Sequence, residues 1–262
     1  TPGGDLIFVS DRTGWWNLYR LRGGAVEHLV AMHAEFGRPQ WVFGMSMYAV
    51  VSDSELVCAY IRDGRCHMAR LDLDALTLRD IPVTQTEFSG LRSGEGFVIY
   101  GGGSPTESSC LYRLDLATEE AAVVKASRSD TPPPGMVSVP EALRFPTEND
   151  KEAHAFFYAP TNAQVEGPGD ASPPLIVFSH GGPTGATSDV YSPAMQYWTT
   201  RGYAVLDVNY GGSTGYGREY RNRLRDAWGI VDVDDCINAA LHVASLGRAD
   251  ADRLIIRGGS AG

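Results

Sequence analysis

Lysine is nearly missing from this 262-residue sequence: Lys125 and Lys151 stand beside twenty arginines, and acidic residues outnumber basic ones for a formal net charge of −10. The arginines are scattered and build no basic stripe, which argues against nucleic acid as a partner. No stretch approaches the roughly 18 consecutive apolar residues of a membrane span, so no membrane partner is expected. Cysteine is also sparse. Cys58, Cys66, Cys110 and Cys236 form no C-x-x-C pair and have no histidine at metal-ligand spacing, so no metal site is read. Free thiols in a reducing cytoplasm are the expectation, with a Cys58–Cys66 bridge as the alternative. The opening "TPGGDLIFVS" has no Met, no basic n-region and no apolar h-region, so no secretory leader is read there. Neither G-x-G-x-x-G nor G-x-x-x-x-G-K-[ST] can be written anywhere in the glycine-rich "NYGGSTGYG", which leaves no reason to expect a cofactor.

What is present is an ordinary globular composition, 43% apolar and 21% charged, at a length that suggests two domains or one domain and part of another. Up to about residue 127 the rhythm is short strands and tight turns. "DLIFVSDRTGWWNLYRL" (5–21) reads as a hairpin, and comparable units follow at 47–74 and 96–126. The closing strands "LYRL" at 18, "MARL" at 68 and "LYRL" at 111 recur at the spacing of one four-stranded propeller blade; a plain antiparallel sandwich is the alternative. Two to three blades do not close a ring of about four to eight, so further repeats are expected upstream.

"ASRSDTPPPGM" (126–136) breaks every periodicity and reads as a linker, giving one domain over 1–135 and another over 136–262. Beyond it come a hairpin in "EALRFPT" and "AHAFFYAP", a buried strand at 174–179, a helix at 192–202 and a second buried strand at 203–210. Next is a helix at 232–247, capped by Asp232 with Ile237, Ala240, Leu241 and Ala244 on its apolar face, and then a third buried run in "RLIIRGGS". Apolar strands without alternation, separated by helices, describe a mainly parallel sheet covered on both faces, the N-terminal part of an α/β fold.

Gly258-Gly259-Ser260-Ala261-Gly262 fits G-x-S-x-G and follows directly on a strand, the context of a nucleophile elbow. Glycines on both sides let the chain turn sharply and lift the hydroxyl of Ser260 above the sheet. "SHGGP" (179–183) follows another strand, where hydrolases with this elbow complete their oxyanion hole. The amides of Ala261 and Gly182 are the candidate donors. His180 precedes the nucleophile in a fold whose base follows it, so it reads as an orienting residue of the turn rather than as the base. Gly181, Tyr210, Gly258 and Gly259 join it as residues that shape the site. The cluster Asp232, Asp234, Asp235 reads as first-turn charges facing a helix dipole, not as a metal site.

"FSHGGP", "RGYAVLDVNYGGSTGYGREYRNRLRDAWGIVDVDDC" and "DRLIIRGGSAG" together resemble the prolyl oligopeptidase family of serine peptidases, in its acylaminoacyl-peptidase or dipeptidyl-aminopeptidase-like branch. The strong likeness covers about 174–262. It implies a β-propeller ahead of an α/β-hydrolase domain, Ser260 as nucleophile, Gly182 with Ala261 as oxyanion donors, and a substrate that is a short peptide or an acylated or aminoacylated amide. Self-association into a homo-oligomer is compatible with it. Many members read Asn-Tyr-Arg-Gly-Ser where this chain has Asn209-Tyr210-Gly211-Gly212-Ser213, a departure that bears on substrate class. The triad's acid and histidine have no counterpart within these 262 residues, which by themselves are expected to be inert. An esterase on the same scaffold, or a non-catalytic propeller that binds a partner, are the competing readings.

Overall fold

The computed structural model describes residues 1–129, 132–169 and 171–262. Asp130 and Thr131, at the centre of the expected linker, lie outside the described residues. The chain separates into two compact units, Thr1–Arg128 with Gly215–Glu219, and Ser129–Thr214 with Tyr220–Gly262.

In the first unit, β1 (Leu6–Ser10), β2 (Asn17–Arg22) and β3 (Ala25–His28) form a three-stranded meander. β4 (Tyr48–Val50), β5 (Glu55–Arg62), β6 (Arg65–Asp72) and β7 (Thr77–Asp80) form a four-stranded one. A second four-stranded sheet holds β8 (Glu87–Gly94), β9 (Phe97–Ser104), β10 (Glu107–Asp115) and β11 (Ala121–Ala126), and every pairing in the three sheets is antiparallel. The period-2 rule shows why these strands are so apolar. Leu56, Cys58 and Tyr60 of β5 enter a core shared with Leu18 and Phe36, whereas Val57, Ala59 and Ile61 enter another with Phe88, Tyr100 and Leu114. The repeated "LYRL", "MARL" and "LYRL" fall on β2, β6 and β10. They are not closing strands: β3, β7 and β11 each follow and pair with them. All four cysteines are free, and burial pushes the Cys66 thiol up to about 12.

The second unit is built on one five-stranded sheet. Its elements are β12 (Glu141–Thr147), β13 (Lys151–Tyr158), β14 (Leu175–Ser179), α1 (Pro193–Thr199), β15 (Ala204–Asn209), α2 (Gly217–Asn222, whose first residues group with the other unit), α3 (Val231–Ser245) and β16 (Leu254–Gly258). The strand order is β12-β13-β15-β14-β16; β14, β15 and β16 run parallel, while β13 meets both β12 and β15 antiparallel. Every residue of β15 is buried, because α1 covers one face, over Phe156, Tyr158 and Val205, and α3 packs across the strands from the other.

Among the described residues β16 pairs with β14 alone and is exposed along its length, with Ile256 at 70%. Two expectations from the sequence are corrected on the helix before it. On α3 the buried stripe is Asp235, Cys236, Ala239, Ala240 and Val243, whereas Ile237 and Leu241 are exposed. Nor does Asp232 cap that helix. The N-cap is Ile230, and Asp232 sits in the first turn, where its carboxylate accepts the Gly229 N–H at 2.7 Å. Among the described residues no helix is long and apolar enough to cross a membrane.

Candidate active site

Parallel β14 and β16 are hydrogen-bonded neighbours in the register Ser179↔Gly258, so their C-terminal turns leave the sheet at the same level. One turn is "HGGP", the other "GSAG". The second closes with Gly262 N–H donating to the Gly259 carbonyl at 3.0 Å, and it carries Ser260 at φ 59°. A left-handed conformation is uncommon for a residue with a Cβ and costs of order 1 kcal/mol or more, so it marks a position whose geometry the surroundings impose. Ser260 is exposed, and among the described residues its hydroxyl has no hydrogen-bond partner.

The two turns touch where glycine is needed. A Cβ on Gly181 would lie 2.7 Å from the Gly259 carbonyl oxygen and 3.0 Å from Ser260 Cβ. One on Gly262 would lie 2.1 Å from the Ser179 carbonyl oxygen. A Cβ on Gly259, by contrast, would meet nothing within 4 Å among the described residues. Within this pair of turns the amides of Gly182 and Ala261 have no hydrogen-bond partner among the described residues.

His180 stacks on Tyr210, with ring centroids 4.3 Å apart and planes 12° from parallel. The Tyr210 hydroxyl donates to the His180 carbonyl at 2.7 Å. The imidazole Nε2 lies 2.7 Å from Ser213 Oγ and Nδ1 lies 3.0 Å from the Gly181 carbonyl oxygen. Burial lowers the imidazole pKa, opposed in part by its bond to Gly181, so the ring is held neutral. With both nitrogens engaged in the turn, it is not available as a base for Ser260.

Sequence reading missed the frame behind these turns. Thr187 N–H donates to Asn209 Oδ1 at 2.8 Å, the Thr187 hydroxyl donates to Asp207, and Thr214 N–H donates to the Gly185 carbonyl at 2.9 Å. Asp235 is buried rather than serving the helix dipole: its carboxylate accepts the Gly211 N–H at 2.6 Å and the Thr147 hydroxyl. The one signal in the sequence was a run of polar residues, "DVNYGGS", closing a strand that is otherwise wholly apolar. Among the described residues no cluster of His, Cys, Asp or Glu could hold a metal ion.

Asp207 also lines a cavity of about 390 Å³ with Tyr158, Phe178, His180 and Met195. Complete burial raises its carboxyl to about 7, offset in part by the Thr187 hydroxyl. The folded state therefore keeps a proton that the unfolded chain releases near pH 4. Stability falls as pH rises from about 4 to about 7 and is level above, for a loss of up to about 4 kcal/mol. Asp207→Asn should remove that slope, so that its melting temperature exceeds that of the unsubstituted protein at pH 8 and the gap closes towards pH 4. Parallel pH profiles of the two proteins would show the carboxyl to be ionised in the fold.

Residues 190–262 match the family model described as the prolyl oligopeptidase family. A puromycin-hydrolyzing peptidase of Mycobacterium tuberculosis superposes with a TM-score of 0.94 at 38% identity, over 98% of this chain and 40% of that one. Dipeptidyl aminopeptidase BIII of Pseudoxanthomonas mexicana is 33% identical over 157 residues, 58% of this chain and 22% of that protein. The acylamino-acid-releasing enzyme of Arabidopsis thaliana is 40% identical over 89 residues, 34% of this chain and 12% of that enzyme. The chain thus spans well under half the length of the relatives it matches. The pattern of the prolyl oligopeptidase family thus runs through β15, α3 and the Ser260 turn, and the described fold is similar to that of a puromycin-hydrolyzing peptidase.

Proposed function

We propose that this chain carries the nucleophile and the oxyanion hole of a serine-type peptidase that hydrolyses short peptides or acylaminoacyl and aminoacyl amides through an acyl-enzyme. In this reading the meanders of residues 1–135 are blades of a β-propeller, and 136–262 is the N-terminal portion of an α/β-hydrolase domain. Ser260 Oγ attacks the scissile carbonyl carbon, and the carbonyl oxygen takes up negative charge. The Gly182 and Ala261 amides stabilise that charge, the amine leaves with a proton, and water hydrolyses the ester. The observation that carries the reading is the exposed Ser260 in a left-handed turn packed against Gly181, with those two amides unpaired beside it.

Substrate class rests on the relatives, whose names include a puromycin-hydrolyzing peptidase, a dipeptidyl aminopeptidase and an acylamino-acid-releasing enzyme. Four free cysteines support a reducing, cytoplasmic setting. Treatment of the intact protein with a fluorophosphonate should place one label on Ser260. A folded protein that takes up no label there would overturn the hydrolase reading. Turnover of aminoacyl anilides should accompany labelling; turnover of p-nitrophenyl esters alone would make it an esterase instead.

A further inference from the structure

Ser213 is wholly buried, and its hydroxyl lies 2.7 Å from both His180 Nε2 and the Tyr210 carbonyl oxygen. It has one proton for two acceptors. The Tyr210 carbonyl already receives the Ser213 N–H at 2.9 Å, whereas Nε2 has no other donor among the described residues. The other side of the ring decides between them. Nδ1 faces the Gly181 carbonyl at 3.0 Å, and a carbonyl can only accept, so a bare Nδ1 would set two lone pairs against each other. A neutral imidazole has a single N–H. All the groups are satisfied together when that proton sits on Nδ1 and the Ser213 hydroxyl donates to Nε2.

The bond from Nδ1–H to the Gly181 carbonyl fixes more than the ring. In a trans peptide the carbonyl and the following N–H point in opposite directions, and none of the described peptides is cis. Holding the Gly181 carbonyl against the imidazole therefore holds the Gly182 N–H on the far side, where it has no partner. The neighbouring peptide is held the same way, since the Tyr210 hydroxyl grips the His180 carbonyl.

We infer that Ser213 is a positioning residue of the oxyanion hole: its hydroxyl, donating to Nε2, holds the His180 imidazole against the Gly181 carbonyl, and the imidazole in turn aims the Gly182 amide. The role rests on the peptidase reading above, but the tautomer does not. In the intact protein labelled with 15N-histidine, nitrogen shifts should show His180 protonated on Nδ1 with Nε2 accepting a hydrogen bond, and Ser213→Ala should move the Nε2 shift to that of an unbonded ring nitrogen while the proton stays on Nδ1. On an aminoacyl anilide, Ser213→Ala should lower kcat about 10- to 100-fold, short of the full loss of an oxyanion donor, with KM within about twofold. Ser213→Cys, which keeps a weak donor, should fall between. His180→Asn retains an N–H donor near the Nδ1 position, so adding Ser213→Ala to it should change kcat no further. An Nε2–H tautomer in the unsubstituted protein would overturn the inference whether or not any variant folds. So would a folded Ser213→Ala with unchanged kcat, or fully additive effects of the two substitutions. Failure of fluorophosphonate labelling with the Nδ1–H tautomer present would sink the peptidase reading and leave the relay standing.

Discussion

Ser260→Ala in the intact protein is expected to lower kcat for amide hydrolysis by about 10⁴- to 10⁶-fold while leaving KM within a few-fold. In the proposed mechanism Ser260 supplies the nucleophile, so what remains is the rate supported by the Gly182 and Ala261 amides and binding. Stability should scarcely change, since the side chain is exposed and has no hydrogen-bond partner among the described residues. Ser260→Gly sharpens the test. At φ 59° glycine escapes the steric cost that any Cβ incurs, so this variant should be as inactive as alanine yet more stable by about 1 kcal/mol. A strained residue whose removal stabilises the fold and abolishes activity is one held in place for chemistry. Retention of more than a few per cent of the rate in either variant would remove Ser260 from the mechanism.

Much of this arrangement could be read from the residues in order. Strand, glycine turn and serine were legible because each is local: an apolar run followed by "GGSAG", and another followed by "HGGP", signal turns whatever surrounds them. Their juxtaposition depends on β14 and β16 pairing in the register Ser179↔Gly258, which no local pattern encodes. The misreadings share a physical cause. Ile237 and Leu241 outweigh small residues on a helical wheel, but α3 lies on its sheet through Ala239, Ala240 and Val243, whose size permits close approach. Asp235 looks like its neighbours Asp232 and Asp234 until the fold brings the Gly211 amide and the Thr147 hydroxyl to it. Ser213 was invisible for the same reason: its meaning lies in a histidine 33 residues away.

Gly262→Ala should be the most damaging single methyl group that can be added near the site. The new Cβ would stand 2.1 Å from the Ser179 carbonyl oxygen, 2.6 Å from its carbon and 3.0 Å from the His180 carbonyl oxygen, all of them backbone. Ser179 is paired to strands on both sides, with Val208 and with Gly258, so it cannot retreat without breaking the ladder. The elbow must yield, carrying Ser260 and the Ala261 amide away from the Gly181–Gly182 peptide. Misplacing reacting groups by about 1 Å costs on the order of 10²-fold in rate, and the loss of one oxyanion donor about 10²- to 10³-fold. A fall in kcat of at least about 10²-fold is therefore expected, with a matching fall in the rate of fluorophosphonate labelling. Gly259→Ala is the control, because a Cβ there meets nothing within 4 Å among the described residues, and it should cost no more than a few-fold. Equal effects at the two positions would mean that the turn tolerates displacement, and that the close approach of "HGGP" to "GSAG" is not what makes Ser260 reactive.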